Sequence, residues 1–139
     1  MSSLDASPWR DRVLSVLRIV AGVMFMSAGT MKLFGFPGTP EGPMPPVELM
    51  SQVGIGGIIE TFGGLLIALG LFTRPVAFIC SGEMAVAYFQ FHHAQSIYPT
   101  ENNGTGAALY CFLFLYLVFA GAGSWSIDAA IRRRRGAAV

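Results

Sequence analysis

The sequence predicts an all-α protein, a bundle of four membrane-crossing helices with the N-terminus and C-terminus both in the cytoplasm. Three observations carry this. Hydrophobic residues make up 53% of the 139 residues and charged residues 12%, against about 25% charged in an average soluble domain, and mean hydropathy is +0.57. Four apolar stretches, at 13–34, 47–72, 75–94 and 106–122, come close to or exceed the roughly 20 helical residues that cross a hydrocarbon core. Every Lys and Arg except Lys32 falls on the side shared by the N-terminus, the Thr73–Arg74 turn and the C-terminus. The positive-inside rule makes that side cytoplasmic. The expected location is a bacterial-type cytoplasmic (inner) membrane, with several passes and lipid as the surrounding partner. Net charge is +1, so no overall imbalance argues for nucleic acid.

The chain divides into a cytoplasmic lead (1–12), a transmembrane domain (13–123) and a basic cytoplasmic tail (124–139). Trp9 suits the headgroup level as an aromatic anchor. Ser27-Ala28-Gly29 is a weak cleavage site, and removing the first span would leave an odd number of crossings, so a cleaved signal peptide is not expected. The proline-dense stretch 35–46 cannot be helical and forms an external loop. Thr73-Arg74-Pro75 is a tight cytoplasmic turn with proline in the first turn of the next helix. The stretch 96–104, with Asn102-Asn103-Gly104, is a second external loop. The final segment, Ser124 to Arg135, reads as an interfacial piece whose arginines meet lipid phosphates. Cys80 and Cys111 form no CxxC pair and are expected at different depths, which disfavours a disulfide.

Each of the first three spans places ionisable groups on one helical stripe. Span one aligns Arg18, Gly22, Phe25, Gly29 and Lys32; span two aligns Gly56, Glu60, Gly63, Ile67 and Gly70; span three aligns Cys80, Glu83, Ala87, Gln90 and Ala94. A charge in hydrocarbon costs about 2.5–3.5 kcal/mol on insertion scales, so these groups should face one another or a wet cavity. The expected polar centre comprises Arg18, Lys32, Glu60, Glu83, Gln90 and His93. Depths at a rise of about 1.5 Å per residue allow Arg18 to sit between Glu60 and Glu83. They put Lys32 near the outer boundary, level with Gln90 to His93. One reading makes these groups structural ion pairs with a snorkelling lysine. Another makes them a site for a polar headgroup, a quinone or a proton path, and a desolvated Glu60 can also sit there as the neutral acid. On an α-helix His92 falls opposite Glu83 and His93 about 80° away. The two histidines cannot readily share a metal, and no metal motif is present.

The order and spacing of several short motifs resemble the DoxX family of small four-helix membrane proteins. These are Arg18 with Gly22, Phe25, Gly29 and Met31-Lys32-Leu33; Glu60 with Gly63-Gly64; Leu69 to Pro75; Glu83-Met84 with Ala87; Asn102 to Tyr110; and Gly121 to Asp128. The resemblance implies the four-helix fold and an association with membrane oxidoreductases, one relative being part of a thiosulfate:quinone oxidoreductase. Family members often carry an acidic residue just after the Asn-Gly pair, where this chain has Thr105-Gly106 and only Glu101 nearby. The function implied is the membrane subunit of a quinone-linked oxidoreductase. Lys32, Glu60 and Glu83 would bind quinone or pass its protons between aromatic walls from Phe25, Tyr88 and Tyr110. Flavin, haem and iron–sulfur motifs are missing from the sequence, so electrons would come from a redox partner subunit. No residue is assigned a catalytic role. Two other classes stay open: a small-solute or proton transporter component, which would need a homo-oligomer, and a structural adaptor without catalysis.

Overall fold

A computed structural model describes residues 8–42, 45 and 47–137. Residues 1–7 of the N-terminal lead, Pro43, Met44 and Pro46 of the proline-dense loop, and the last two residues of the tail lie outside it. The helices are α1 (Pro8–Phe34), α2 (Gln52–Leu69), α3 (Thr73–Ala87), α4 (Thr105–Ala120) and α5 (Ile127–Gly136), and α3 runs on into a π-helical turn at Tyr88–His92. There is no strand among the described residues.

The boundaries follow local chemistry. Helix α1 begins earlier than its apolar run, with Pro8 at the first helical position and Asp11 in the first turn, both suited to a helix N-terminus. Helix α2 begins later than the apolar run at 47, because Ser51 caps it: its Oγ accepts from the Gly54 N–H at 3.0 Å. The helix stops at Gly70, whose φ of 67° is the left-handed conformation that ends helices. Ser126 caps α5 in the same manner, accepting from the Ala129 N–H at 3.1 Å.

Helices α1 to α4 form an antiparallel up-and-down bundle. The α1–α2 crossing is very close, since a Cβ on Gly22 would stand 2.7 Å from the Gly64 carbonyl oxygen. Only backbone without side chains allows this approach. Helices α3 and α4 pair through Ser81, whose hydroxyl donates to the Cys111 carbonyl at 2.8 Å. That contact puts Cys111 level with Ser81, so the two cysteines lie at similar depth, contrary to the sequence expectation; both are free thiols. Between these two tight pairs, α2 and α3 meet less extensively.

The outer surface is apolar. Val13, Val20, Met24, Phe62, Phe78, Phe112 and Phe119 are all exposed, a distribution that suits hydrocarbon rather than water outside. Helices α1 and α2 are each long and apolar enough to cross a membrane, and α4 is a shorter apolar helix.

At the end where α1 begins and α5 lies, the polypeptide ties itself into a polar knot. Arg18 is fully buried, and its guanidinium donates to four carbonyl oxygens. Nε reaches Ala122 at 2.7 Å, Nη1 reaches Ile67 and Ala68, and Nη2 reaches Trp125 at 2.6 Å. It therefore satisfies the frayed carbonyls of α2 and pins the segment after α4. Gly70 makes room for it, because a Cβ there would lie 2.9 Å from Arg18 Cζ. Ser15 adds a further tie by accepting from the Trp125 N–H at 3.1 Å.

Asp128 completes the knot. Its carboxylate accepts from the Phe72 N–H at 2.9 Å and the Thr73 N–H at 3.0 Å, capping α3, whose own N-cap residue makes no side-chain bond. Burial pushes the Asp128 carboxyl up, but the hydrogen bonds from Thr73 and Phe72 and the nearby Arg132 outweigh it and hold the group below the ordinary aspartate value. The folded value thus lies below the unfolded one. The stabilisation is fully present above about pH 4, the unfolded value, and disappears as pH falls through the folded one. Unfolding in detergent should therefore show Asp128→Asn less stable than wild type at neutral pH, with the gap closing only below about pH 4. A gap that is constant with pH would contradict the capping role.

Candidate functional site

Above the knot lies a dry layer. Phe25, Ile67, Cys80 and Phe114 are each at most 1% exposed, and Phe25 packs edge-on to Phe114 with ring centroids 4.7 Å apart. This layer separates Arg18 from Lys32, Glu60 and Glu83, so Arg18 does not stand between the carboxylates. Gathered beyond the layer are Lys32 from the last turn of α1, Glu60 from α2 and Glu83 from α3.

Lys32 Nζ and Glu60 Oε1 form an ion pair at 2.6 Å, with side-chain exposures of 31% and 3%. Lys32 thus turns inward to a carboxylate instead of only snorkelling. Two of the remaining oxygens, Glu60 Oε2 and Glu83 Oε2, are buried and have no hydrogen-bond partner. Gly56, one turn from Glu60, seats the third group, since a Cβ at that position would stand 3.2 Å from Glu83 Oε1.

These groups line a cavity of about 380 Å³ that also takes in Phe25, Phe91, His92 and Tyr110. The volume lies within the roughly 300–1,000 Å³ range of small-molecule sites. Phe25 and Tyr110 form one wall, their ring centroids 5.3 Å apart, and Phe114 backs the tyrosine at 5.5 Å. Toward the loop end, His92 Nδ1 contacts the Asn102 carbonyl at 2.9 Å. A carbonyl only accepts, so Nδ1 carries the proton in this contact. Asn102 is fully buried and organises the outer loop: its Nδ2 donates to the Ser96 carbonyl at 2.7 Å, and its Oδ1 accepts from the Gly104 N–H at 2.8 Å.

Of the residues expected from sequence, the cavity unites Lys32, Glu60, Glu83, Phe25 and Tyr110. Gln90 and His93 are exposed and do not line it. Tyr88 braces the outer loop, donating to the Ile97 carbonyl at 2.7 Å. Glu101 is also a loop residue, accepting from the Ser96 hydroxyl at 2.8 Å. The π turn explains the exchange. The His93 N–H bonds to the Tyr88 carbonyl, five residues back, which adds one residue to the turn. Each later side chain then takes the angular place an α-helix would give its predecessor. Phe91 moves onto the stripe of Glu83 and Ala87 in place of Gln90, and His92 swings from the far side to the cavity rim. Nothing in the sequence pattern marks that turn. Among the described residues, no three His, Cys, Asp or Glu stand together so as to hold a metal.

The sequence matches the DoxX family over residues 13–93, a stretch that holds Arg18, Lys32, Glu60, Glu83 and His92. An uncharacterized protein of Haemophilus influenzae is 44% identical over 123 residues, covering 86% of this chain and 91% of its own. Inner membrane protein YqjF of Escherichia coli K12 is 28% identical over 134 residues, 86% of this chain and 92% of its own. Inner membrane protein YphA of the same organism is 28% identical over 135 residues, with 89% and 94% covered. No solved structure matches the chain.

The ion pair yields a stability test. Lys32→Met strands a buried carboxylate and should cost about 3–5 kcal/mol, whereas Lys32→Met with Glu60→Leu should recover most of that loss. Unfolding in detergent measures both. A Lys32→Met protein as stable as wild type would show that the pair is not formed.

Proposed function

The chain belongs to the DoxX family, and on that premise we propose that it is the membrane subunit of a quinone-linked oxidoreductase. In this reading it crosses the inner membrane four times, with both termini cytoplasmic. The apolar outer surface, the basic residues gathered at the knot end and the inner-membrane names of two relatives support the placement. The observation that carries the function is the pair of unpartnered carboxylate oxygens, Glu60 Oε2 and Glu83 Oε2, in an aromatic-walled cavity beside Lys32.

The residues fit a quinone. A carbonyl oxygen needs a donor, and Lys32 Nζ keeps hydrogen-bonding capacity beyond its one bond to Glu60. Phe25 and Tyr110 offer ring faces and keep water out. When bound, the quinone supplies the electron-accepting chemistry; the electrons come from a partner subunit. This chain handles protons. One ammonium faces two carboxylates, so the group is neutral only when the carboxylates hold one proton between them. Such a pair can deliver a proton to a hydrogen-bonded oxygen and take one back. His92 lines the same cavity toward the outer loop and gives the exchange an outward route. The dry layer at Phe25, Ile67, Cys80 and Phe114 closes the other direction, which favours a binding site over a through-path for solute.

The test is quinone-coupled turnover by the complex recovered through a tagged copy of this chain. Glu60→Gln keeps shape and hydrogen bonding but cannot carry the proton. It should cut turnover about a hundredfold while leaving complex recovery unchanged. Undiminished turnover would sink the proton role.

A further inference from the structure

Helices α2 and α3 form a wedge. They meet closely at Gly63, where a Cβ would stand 2.6 Å from Cys80 Sγ, and stand farther apart at Gly56, where the longer Glu83 side chain reaches across to 3.2 Å. Beside this opening, a Cβ at exposed Gly82 would meet nothing within 4 Å. The glycines that hold α1 against α2 have a packing reason. Gly82 has none, although glycine within a helix costs about 1 kcal/mol relative to alanine. It borders a second cavity of about 460 Å³, walled by Ile55, Ile59, Ile79 and Val86. Ile55, Ile79 and Val86 are about half exposed, so this groove opens sideways onto the apolar exterior. The two cavities share Gln52, Gly56, Glu83, Ala87 and Phe91 in their linings. Glu83 therefore stands at the junction, one cavity holding Lys32 and the nearly fully buried Glu60, the other lined by aliphatic side chains and Phe91 apart from Gln52 and Glu83.

We propose that the α2–α3 groove holds the hydrocarbon chain of an amphipathic ligand whose polar head sits at Lys32, Glu60 and Glu83, and that this ligand enters sideways from the membrane. The inference rests on the polar centre being a ligand site and adds the class of molecule it takes. A polar head without a chain would use only the inner cavity. A water-soluble solute would arrive through the loop end, past His92 and Gly106, instead of between Ile79 and Val86. Glycine at 82 keeps the groove open for the chain, and the shared wall at Ala87 and Phe91 guides it past Glu83.

Two glycines make the test clean. A Cβ meets nothing within 4 Å at Gly82, beside the groove, or at Gly136, on α5 away from both cavities. Leucine should therefore fit at either position without breaking the fold, which thermal unfolding checks. The probe is a long-chain alcohol bearing a mid-chain diazirine, irradiated with the full chain in phospholipid nanodiscs and mapped by peptide mass spectrometry. The expected result is labelling concentrated on Ile55, Ile59, Ile79 and Val86, reduced at least about tenfold by Gly82→Leu and unchanged by Gly136→Leu. Labelling spread evenly over the apolar surface, or unaffected by Gly82→Leu, overturns the proposal. Competition by decylubiquinone separates the two readings. Loss of labelling supports both, whereas groove labelling that decylubiquinone does not displace keeps the chain groove and removes the quinone.

Discussion

In an apolar bundle an ionised side chain has little water to turn to, so it must find its partners among protein atoms. This chain meets that constraint in two different ways, and the contrast organises the structure. The Arg18 guanidinium is enclosed by carbonyl oxygens of Ile67, Ala68, Ala122 and Trp125. It has little capacity left for a ligand, and it ties α1, the end of α2 and the segment after α4 together. The Lys32–Glu60–Glu83 group is only partly satisfied, since one ion pair forms and two carboxylate oxygens stay without partners. A group whose bonds are nearly all spent holds a fold. One with bonds to spare at a cavity is placed to hold something else.

The two ends of the bundle follow from this difference. At the knot, backbone carbonyls, Asp128 and Ser15 bind the termini of four helices to α5, and the aromatic and aliphatic layer above it excludes water. Farther along, α2 and α3 part, the π turn re-aims α3, and the loop organised by Asn102 lies beside His92. One half is built for rigidity. The other has the space, polar atoms and lateral opening that binding a membrane-soluble molecule requires.

Much of this was legible from residue spacing. The stripes on the first three spans pointed to Lys32, Glu60, Glu83 and Phe25, which the structure brings to one cavity, because burial cost favours such groups facing inward. The glycines of α1 and α2 also signalled the close crossing. Arg18 was legible as a buried charge but not in its partners, since a sequence displays carboxylates and hides carbonyls. Two of the motifs carrying the family resemblance, Leu69 to Pro75 and Gly121 to Asp128, converge with Arg18 on the knot. They therefore speak for the fold more than for the chemistry. Phe91 and His92 escaped because their positions depend on a single inserted residue in α3, to which a period of 3.6 is blind. The α2–α3 groove escaped for a related reason: a glycine that fills a contact and one that leaves a space look the same in a sequence.

Native mass spectrometry of the tagged protein, released from its own membrane in mild detergent, tests the central claim most directly. It should be run on wild type and on the Lys32→Met, Glu60→Leu double variant. The account predicts a bound quinone on wild type and none on the folded double variant. Wild type carrying only phospholipid, or quinone retained equally by both proteins, would contradict it.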